Sequence, residues 1–325
     1  MKGFVQVAVV FCLIIGVTVP ILAAEEPYPN RPVTFSQAYA AGGGTDLVAR
    51  AVAAVAPKYF SQPLIVVAKP GGAGLVALQA LASAKPDGHY IHLGRMGEMT
   101  NAAFIEKIPF DMPNDFIPVA GVANDELVVC ASTKYPWKTI EELIADAKKE
   151  PEKIKFGAAG TAASGRLVFE AFCYMLGIKI TCVPFKGSAP AAIAAAGGHI
   201  PLIHATVSET ISHVQRGDLR PLMMMGNRRV KEYPNVPIPK DKGWDFDMTA
   251  WHAVFVYKGT PQPIIDKLES VLKQIVEDKE YISALNGIGS TPVFSTGKQF
   301  AEYWKGERKT MGELIKRLGL SNIKD

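Results

Sequence analysis

The sequence predicts an α/β protein of mainly parallel sheets covered by helices, with chain enough for two lobes. Three observations carry this. Short β-rich runs alternate with helical patterns along the whole chain, which is the pattern of strand–helix–strand units. About 300 residues follow an export-type leader, enough for two domains at ~100–200 residues each. Two strand-to-helix junctions, "AYAAGGGTDLVARAV" (38–52) and "KFGAAGTAASGRLVFEAF" (155–172), are rich in glycine and hydroxyl residues.

The elements follow in order. The N-terminus carries one Lys, a mostly apolar stretch from Phe4 to Val19, Pro20 and the small pair Ala23-Ala24, the order of a cleaved secretory signal. "EEPYPNRP" follows without a basic stop-transfer cluster, so cleavage near Ala24 is expected and a membrane span is not. Strand runs are "VTFSQAY" (33–39), "PLIVVA" (63–68), "YIHLGR" (90–95), "LVVCAS" (127–132), "IKFGAA" (154–159), "ITCVPF" (180–185), "PLIHAT" (201–206), "RPLMMMG" (220–226) and "WHAVFVY" (251–257). After the first glycine turn, Leu47, Val48, Val52 and Val55 keep helical spacing. Thr139 and Glu142 of "TIEELIADAKKE" have capping-box spacing. Ile264, Ile265, Leu268, Val271, Leu272, Ile275 and Val276 share one helical face. The long extended stretch "NDFIPVAGVANDELVVCAS" and the Pro/Gly-rich "YPNVPIPKDKGWDFDMTAWHAV" read as crossings between lobes. That division puts residues 25–126 and 249–325 in lobe 1 and 127–248 in lobe 2, after a signal at 1–24.

Charge and cysteine exclude several classes. The full chain has 35 basic and 31 acidic residues. Removing the leader takes away one Lys and no acid, leaving 34 − 31 = +3. The basic residues are scattered, with no tract for nucleic acid. Cys130, Cys173 and Cys182 form no C-x-x-C pair. Cys173 and Cys182 could pair in an oxidising compartment, one from a helix and one from the next strand, or could sit free at apolar positions. His89 and His92 point to opposite faces of a strand, and His199 and His204 are also at odd spacing. No H-E-x-x-H or G-x-S-x-G is present, so neither a metal centre nor a hydrolase elbow is expected, and no cofactor.

The glycine turns suggest an anion. Gly42-Gly43-Gly44-Thr45 lies where a strand turns into a helix, so close backbone approach, free N–H groups and the helix dipole coincide. The dinucleotide fingerprint fails at Leu47, and no G-K-[ST] follows. A purely structural tight turn is the alternative. Gly157, Gly160, Thr161, Ser164 and Gly165 repeat the arrangement in the second putative lobe, suggesting a cleft with donors on both sides.

The chain also resembles the Bug-type substrate-binding proteins of tripartite tricarboxylate transporters. The resemblance runs from "YPNRPVTF" and "AGGGTDLVAR" through "PGGAG", "AKPDGHYIHLG", "DFIPVAGV", "VPFKGSAPA", "AAGGHIPL" and "GDLRPL" to "NRRVKEYPNVP", "TAWHAVFVYKGTP" and "IIDKLESVL". It implies a two-lobed periplasmic-binding-protein architecture with a mainly parallel sheet in each lobe, an interlobe cleft, a small organic carboxylate ligand, and integral-membrane transporter subunits as partners. It implies binding without covalent chemistry, by a monomer exported to the periplasm.

Carried over by residue, the first turn covers Tyr39, Ala41, Gly42, Gly43, Gly44, Thr45 and Asp46. The second covers Gly160, Thr161, Ala162, Ala163 and Ser164, and "VPFKG" supplies Phe185 and Lys186. Asp46 either meets the ligand's far end or is an acid favoured by the helix dipole. The sequence departs from the family at Ala38 and Ala41 (usually Pro), Tyr39 (usually Phe), Ala162 (commonly Gly), Arg166 (commonly His), and Arg95 and Glu98 (usually small or hydroxyl residues). Arg95 could bind a second ligand carboxylate bidentately or pair with Glu98. Two other classes stay open: a sensory partner of a receptor kinase using the same ligand, and an exported enzyme with Asp46 or Glu209 as base.

Overall fold

The structure, a computed structural model, describes residues 28–321. The expected leader, with Cys12 and the cleavage point near Ala24, lies outside the described residues. Among them no helix is long and apolar enough to cross a membrane.

Lobe 1 opens with β1 (Val33–Gln37), α1 (Gly44–Val55), β2 (Leu64–Ala68), α2 (Leu75–Ser83) and β3 (Tyr90–Arg95). The short helices α3 (Ala102–Ile105) and α4 (Met112–Asp115) lead to the long strand β4 (Phe116–Ser132). Lobe 2 continues with α5 (Ile140–Lys149), β5 (Lys155–Ala158), α6 (Ser164–Met175), β6 (Thr181–Pro184), α7 (Ser188–Ala196), β7 (Leu202–Thr206), α8 (Val207–Gln215) and β8 (Leu219–Met224). The chain returns to lobe 1 through β9 (Thr249–Tyr257), α9 (Gln262–Glu277), α10 (Lys279–Gly287), β10 (Ser290–Thr296) and α11 (Gly297–Arg317).

Each lobe has a parallel run: β2-β1-β3 in the first and β6-β5-β7 in the second. The antiparallel pairs all involve the crossing strands. β4 pairs with β9 from Phe116 to Glu126, and with β7 from Leu127 to Ala131. One continuous strand is therefore the backbone of both sheets, and its partners change between Glu126 and Leu127. In lobe 1, α1, α9 and α10 cover one core around Phe35, Val52, Leu272 and Tyr281, while α2 and α11 cover another around Leu78, Trp251, Phe255 and Trp304. In lobe 2, α5 and α6 pack on Phe156 and Phe172, and α7 and α8 on Ile203 and Met224.

The strand runs at 90–95, 127–132 and 251–257 all lie in observed strands, as do Met223 and Met224, which are fully buried. β4 extends eleven residues further back than "LVVCAS", to Phe116. β10, "STPVFST", carries little strand signal because it is polar and holds Pro292; among the described residues it pairs with β4 alone, with a register shift between Pro292 and Ser295, where a strand tolerates proline. Thr139 caps α5 through Glu142 N–H (3.3 Å), but the Glu142 carboxylate takes the N–H of Lys138 rather than that of Thr139. The face from Ile264 to Val276 packs on the core as its spacing requires. Cys173 on α6 and Cys182 on β6 are both free thiols, as is Cys130.

Candidate functional site

The first glycine turn is braced from within. Gly42, in the left-handed region at φ +81°, donates its N–H to Asp46 Oδ2 at 3.0 Å. That carboxylate also takes Arg50 Nε at 2.7 Å and, through Oδ1, Gln37 Nε2 at 3.4 Å. Gln37 Oε1 in turn accepts the Tyr39 N–H at 2.6 Å. Asp46 thus caps its own helix start, 1% exposed, with its donors Gly42, Arg50 and Gln37 all coming from lobe 1.

Gly44 faces lobe 2. Its N–H donates to Glu209 Oε1 at 3.4 Å, and a Cβ here would lie 2.8 Å from Ser208 Oγ and 3.2 Å from Glu209 Cγ. Only glycine lets the two lobes approach this closely. Glu209 is held by the start of α8: its Oε2 accepts the Thr206 N–H at 2.9 Å in a capping box.

Arg95 ends β3 beneath this junction. Its guanidinium Nη1 lies 3.1 Å from Glu209 Oε1 and 3.3 Å from Thr45 Oγ1, and its Cζ sits 5.6 Å from the centre of the Tyr39 ring. Glu98 does not take the guanidinium. It accepts the Arg95 backbone N–H at 2.8 Å and the Tyr39 hydroxyl at 2.6 Å. Behind them lie Asp125, His252 and Ser208, with Thr45 Oγ1 3.3 Å from His252 Nε2. Burial would raise the Glu209 carboxyl, but Arg95 and the Thr206 N–H hold it below its ordinary value. Burial would lower Arg95, yet Glu209 and Tyr39 keep it raised. Burial pushes Asp125 up to about 7 and His252 well down, so the imidazole stays neutral.

The second turn is braced through its carbonyls instead. Asn101 Nδ2 donates to Ala162 O at 3.0 Å and Arg166 Nη1 to Thr161 O at 2.9 Å, while the Thr161 hydroxyl reaches Glu106 at 3.3 Å. Among the described residues, the backbone N–H groups from Gly160 to Gly165 find no backbone or side-chain acceptor. Gly97 of lobe 1 meets this turn, its missing Cβ lying 3.4 Å from Ala162 O and Ala163 Cα.

A cavity of about 520 Å³ opens beside the second turn, lined by Tyr39, the 70–74 loop, Gly97, Gly160–Ala163 and Phe185. Among the described residues its one charged lining side chain is Lys186. Next to it, a void of about 10 Å³ is lined by Tyr39, Arg95, Ser164, His204 and Glu209. Ser164 Oγ, Arg95 Nε and His204 Nε2 are all buried beside this void without partners. Burial takes His204 down to about 4, so its ring is neutral. A larger cavity of about 800 Å³ lies between α11 and the crossing strands, but Glu126, Asp247, Glu302 and Glu307 line it against the single Arg228. Such a wall repels an anion, whereas the smaller cavity offers donors and a cation.

The structure brings Tyr39, Arg95, Ala162, Ala163, Ser164, Phe185 and Glu209 around these two adjoining spaces. Gly44, Thr45 and Asp46 stand behind them, tied to Glu209, Arg95 and Arg50 respectively. His204 and the 70–74 loop were not anticipated as lining residues. The loop could have been found from "PGGAG", whose Gly71, Gly72, Ala73 and Gly74 all adopt positive φ. No local signal marks His204, whose place depends on β7 meeting α6. Among the described residues no group of three or more His, Cys, Asp and Glu is placed to hold a metal.

Residues 48–320 match the family described as "tripartite tricarboxylate transporter family receptor". A UPF0065 protein from the TAR-I ttuE-ttuC' intergenic region of Agrobacterium vitis is 32% identical, over 91% of this chain and 87% of its own length. Protein BugT of Bordetella pertussis is 26% identical over 98% of each chain. The solved periplasmic binding protein BugD superposes with a TM-score of 0.85 at 28% identity, covering 90% of this chain and 99% of that one. The family match runs from within α1 through both lobes and includes the second glycine turn, the first turn lying just ahead of it, and the chain belongs to the Bug-type receptor family of tripartite tricarboxylate transporters.

Proposed function

We propose that the chain is a periplasmic receptor that captures a small organic carboxylate in its interlobe cleft and delivers it to the membrane subunits of a tripartite tricarboxylate-type transporter. The observation that carries this reading is the second turn. Its unpaired N–H groups, on the N-terminus of α6, border a 520 Å³ cavity whose charged lining side chain is a lysine. Donors converging on a partly apolar space suit a carboxylate on a small organic body. Two proteins of the same fold were solved with adipate and with malate, both dicarboxylates.

In this reading Gly160, Thr161, Ala162, Ala163 and Ser164 hold the carboxylate, and Tyr39 and Phe185 flank its body. Arg95 and Glu209 line the inner end of the cleft, and Ala41, Gly42, Gly43, Gly44, Thr45 and Asp46 support it from behind. The lobes, 25–126 with 249–325 and 127–248, close about β4 and β9 because ligand binds the closed form better. The receptor is exported with cleavage near Ala24 and acts as a monomer. It performs no covalent chemistry: Asp46 and Glu209, the acids a base-catalysed reaction would use, are engaged by Arg50 and Arg95.

A thermal-shift screen of the mature chain against mono-, di- and tricarboxylates, aromatic acids and acidic amino acids tests this. A ligand at about 100 times its Kd adds roughly 2.7 kcal/mol of stability. No shift with any acid, from protein freed of carried-over ligand, refutes the receptor reading.

A further inference from the structure

We infer that Glu209 is a built-in carboxylate that occupies the first glycine turn and Arg95, so that the cleft selects ligands with a single carboxylate. This rests on the receptor reading above and narrows it to a ligand class.

The argument starts from which anion-binding groups are already used. In the first turn, Gly42 N–H is taken by Asp46 and Gly44 N–H by Glu209 Oε1. The same Glu209 oxygen takes Arg95 Nη1 at 3.1 Å. A turn N–H and an arginine are the partners a second ligand carboxylate would seek, and Glu209 of the opposite lobe takes Gly44 N–H and Arg95 together. The residue is fixed there: its other oxygen caps α8 through Thr206 N–H, and its side chain is 3% exposed. It is not a surface acid that swings aside for a guest. Glu98, at 1% exposure, adds a second carboxylate on the lobe 1 side, bound to Tyr39 and the Arg95 N–H.

What is left open along the cavity wall points to one anion. The N–H groups from Gly160 to Gly165 have no acceptor among the described residues, and the buried Ser164 hydroxyl beside them has none either. The adjoining cavity contains one cationic side chain, Lys186, the hydroxyl-bearing Tyr39 and Thr161, and an apolar wall of Phe185, Pro70, Pro184, Ala38 and Ala73. One set of donors and one cation match one carboxylate, and the apolar wall matches a hydrocarbon or aromatic body. A second carboxylate directed toward the first turn would meet Glu209 and Glu98 in a water-poor site, where like charges are most costly.

The test compares acids of matched skeleton by titration calorimetry: hexanoate with adipate, and 4-methylbenzoate with terephthalate. In the unmodified receptor the monoacid of the tighter pair binds at least ten-fold more strongly than its diacid. Glu209→Gln, which keeps the shape and removes the charge, raises the affinity of the diacid relative to its monoacid at least ten-fold. A diacid that binds the unmodified receptor as tightly as its monoacid overturns the inference, as does a mono-to-diacid ratio unmoved by Glu209→Gln in protein that melts cooperatively. If the variant does not fold, the ratio in the unmodified receptor decides. If none of the four binds, the acid found by the thermal-shift screen decides by its own number of carboxylates. Tight binding of a diacid leaves the receptor reading standing while this inference falls; no binding of any acid removes both.

Discussion

Replacing Arg95 with alanine tests the electrostatics at the lobe junction. The guanidinium is 4% exposed and lies 3.1 Å from Glu209. At that separation, with an effective dielectric constant near 20, the attraction is ~5 kcal/mol, and desolvation of both groups offsets much of it. Removal of one partner leaves Glu209 buried without its cation, at a cost of about 3–5 kcal/mol at pH 7.5. The pH dependence follows from sign. With Arg95 present, the folded Glu209 carboxyl lies below its ordinary 4.5, so its contribution is complete above that value and fades as pH falls through the folded value. Without Arg95, burial dominates and lifts the folded carboxyl above 4.5. The penalty is then largest at neutral pH and shrinks on acidification, because the folded state takes up a proton. Urea unfolding of the mature chain at pH 7.5 and pH 5 should show a loss that falls to roughly 1–3 kcal/mol at the lower pH, the cost of an unpaired buried polar group. A loss below 1 kcal/mol at pH 7.5, or one as large at pH 5, refutes the reasoning. The double change Arg95→Met with Glu209→Met should lose less than Arg95→Ala alone, since no unpaired charge remains.

Three further outcomes are expected. Thr161→Pro removes an N–H from the second turn and should weaken every carboxylate found by the screen at least ten-fold; unchanged affinity in a folded variant assigns that turn no role. Gly165→Ala places a Cβ 2.6 Å from the His204 carbonyl oxygen, so α6 or β7 must shift, with a loss of about 1–3 kcal/mol in urea unfolding. Glu126 sits buried at the lobe crossing with its carboxyl pushed up to about 7, mainly by burial. Its folded value exceeds the unfolded 4.5, so the native state loses stability as pH rises from about 4.5 to about 7, and the loss is complete above 7. Glu126→Gln should therefore gain on the order of 1–3 kcal/mol relative to the unmodified chain on going from pH 5 to pH 8; equal differences at both pH values would contradict that.

Much of this protein is written locally. Alternating strands and helices, the capping Thr139 and the apolar face from Ile264 to Val276 are set by backbone geometry and hydrophobic periodicity over a few residues, so they can be read in order. The two glycine turns are equally legible, since each tight strand-to-helix junction holds a glycine, Gly42 and Gly160, in a positive-φ conformation that side chains disfavour. The tertiary structure alone decided how those turns are used. Asp46 reaches back four residues to Gly42, which its position at a helix start allows, but Glu209 reaches Gly44 across 165 positions of sequence. That contact exists because β4 carries both sheets and brings the start of α8 over the start of α1. Arg95 illustrates the same limit. Its neighbour Glu98 offers a local partner, yet the guanidinium pairs with Glu209, because the turn after β3 aims the Glu98 carboxylate at the Arg95 backbone. Short-range geometry and hydrophobic spacing are encoded residue by residue, whereas the pairing of buried charges depends on which distant groups the closed lobes exclude from water together.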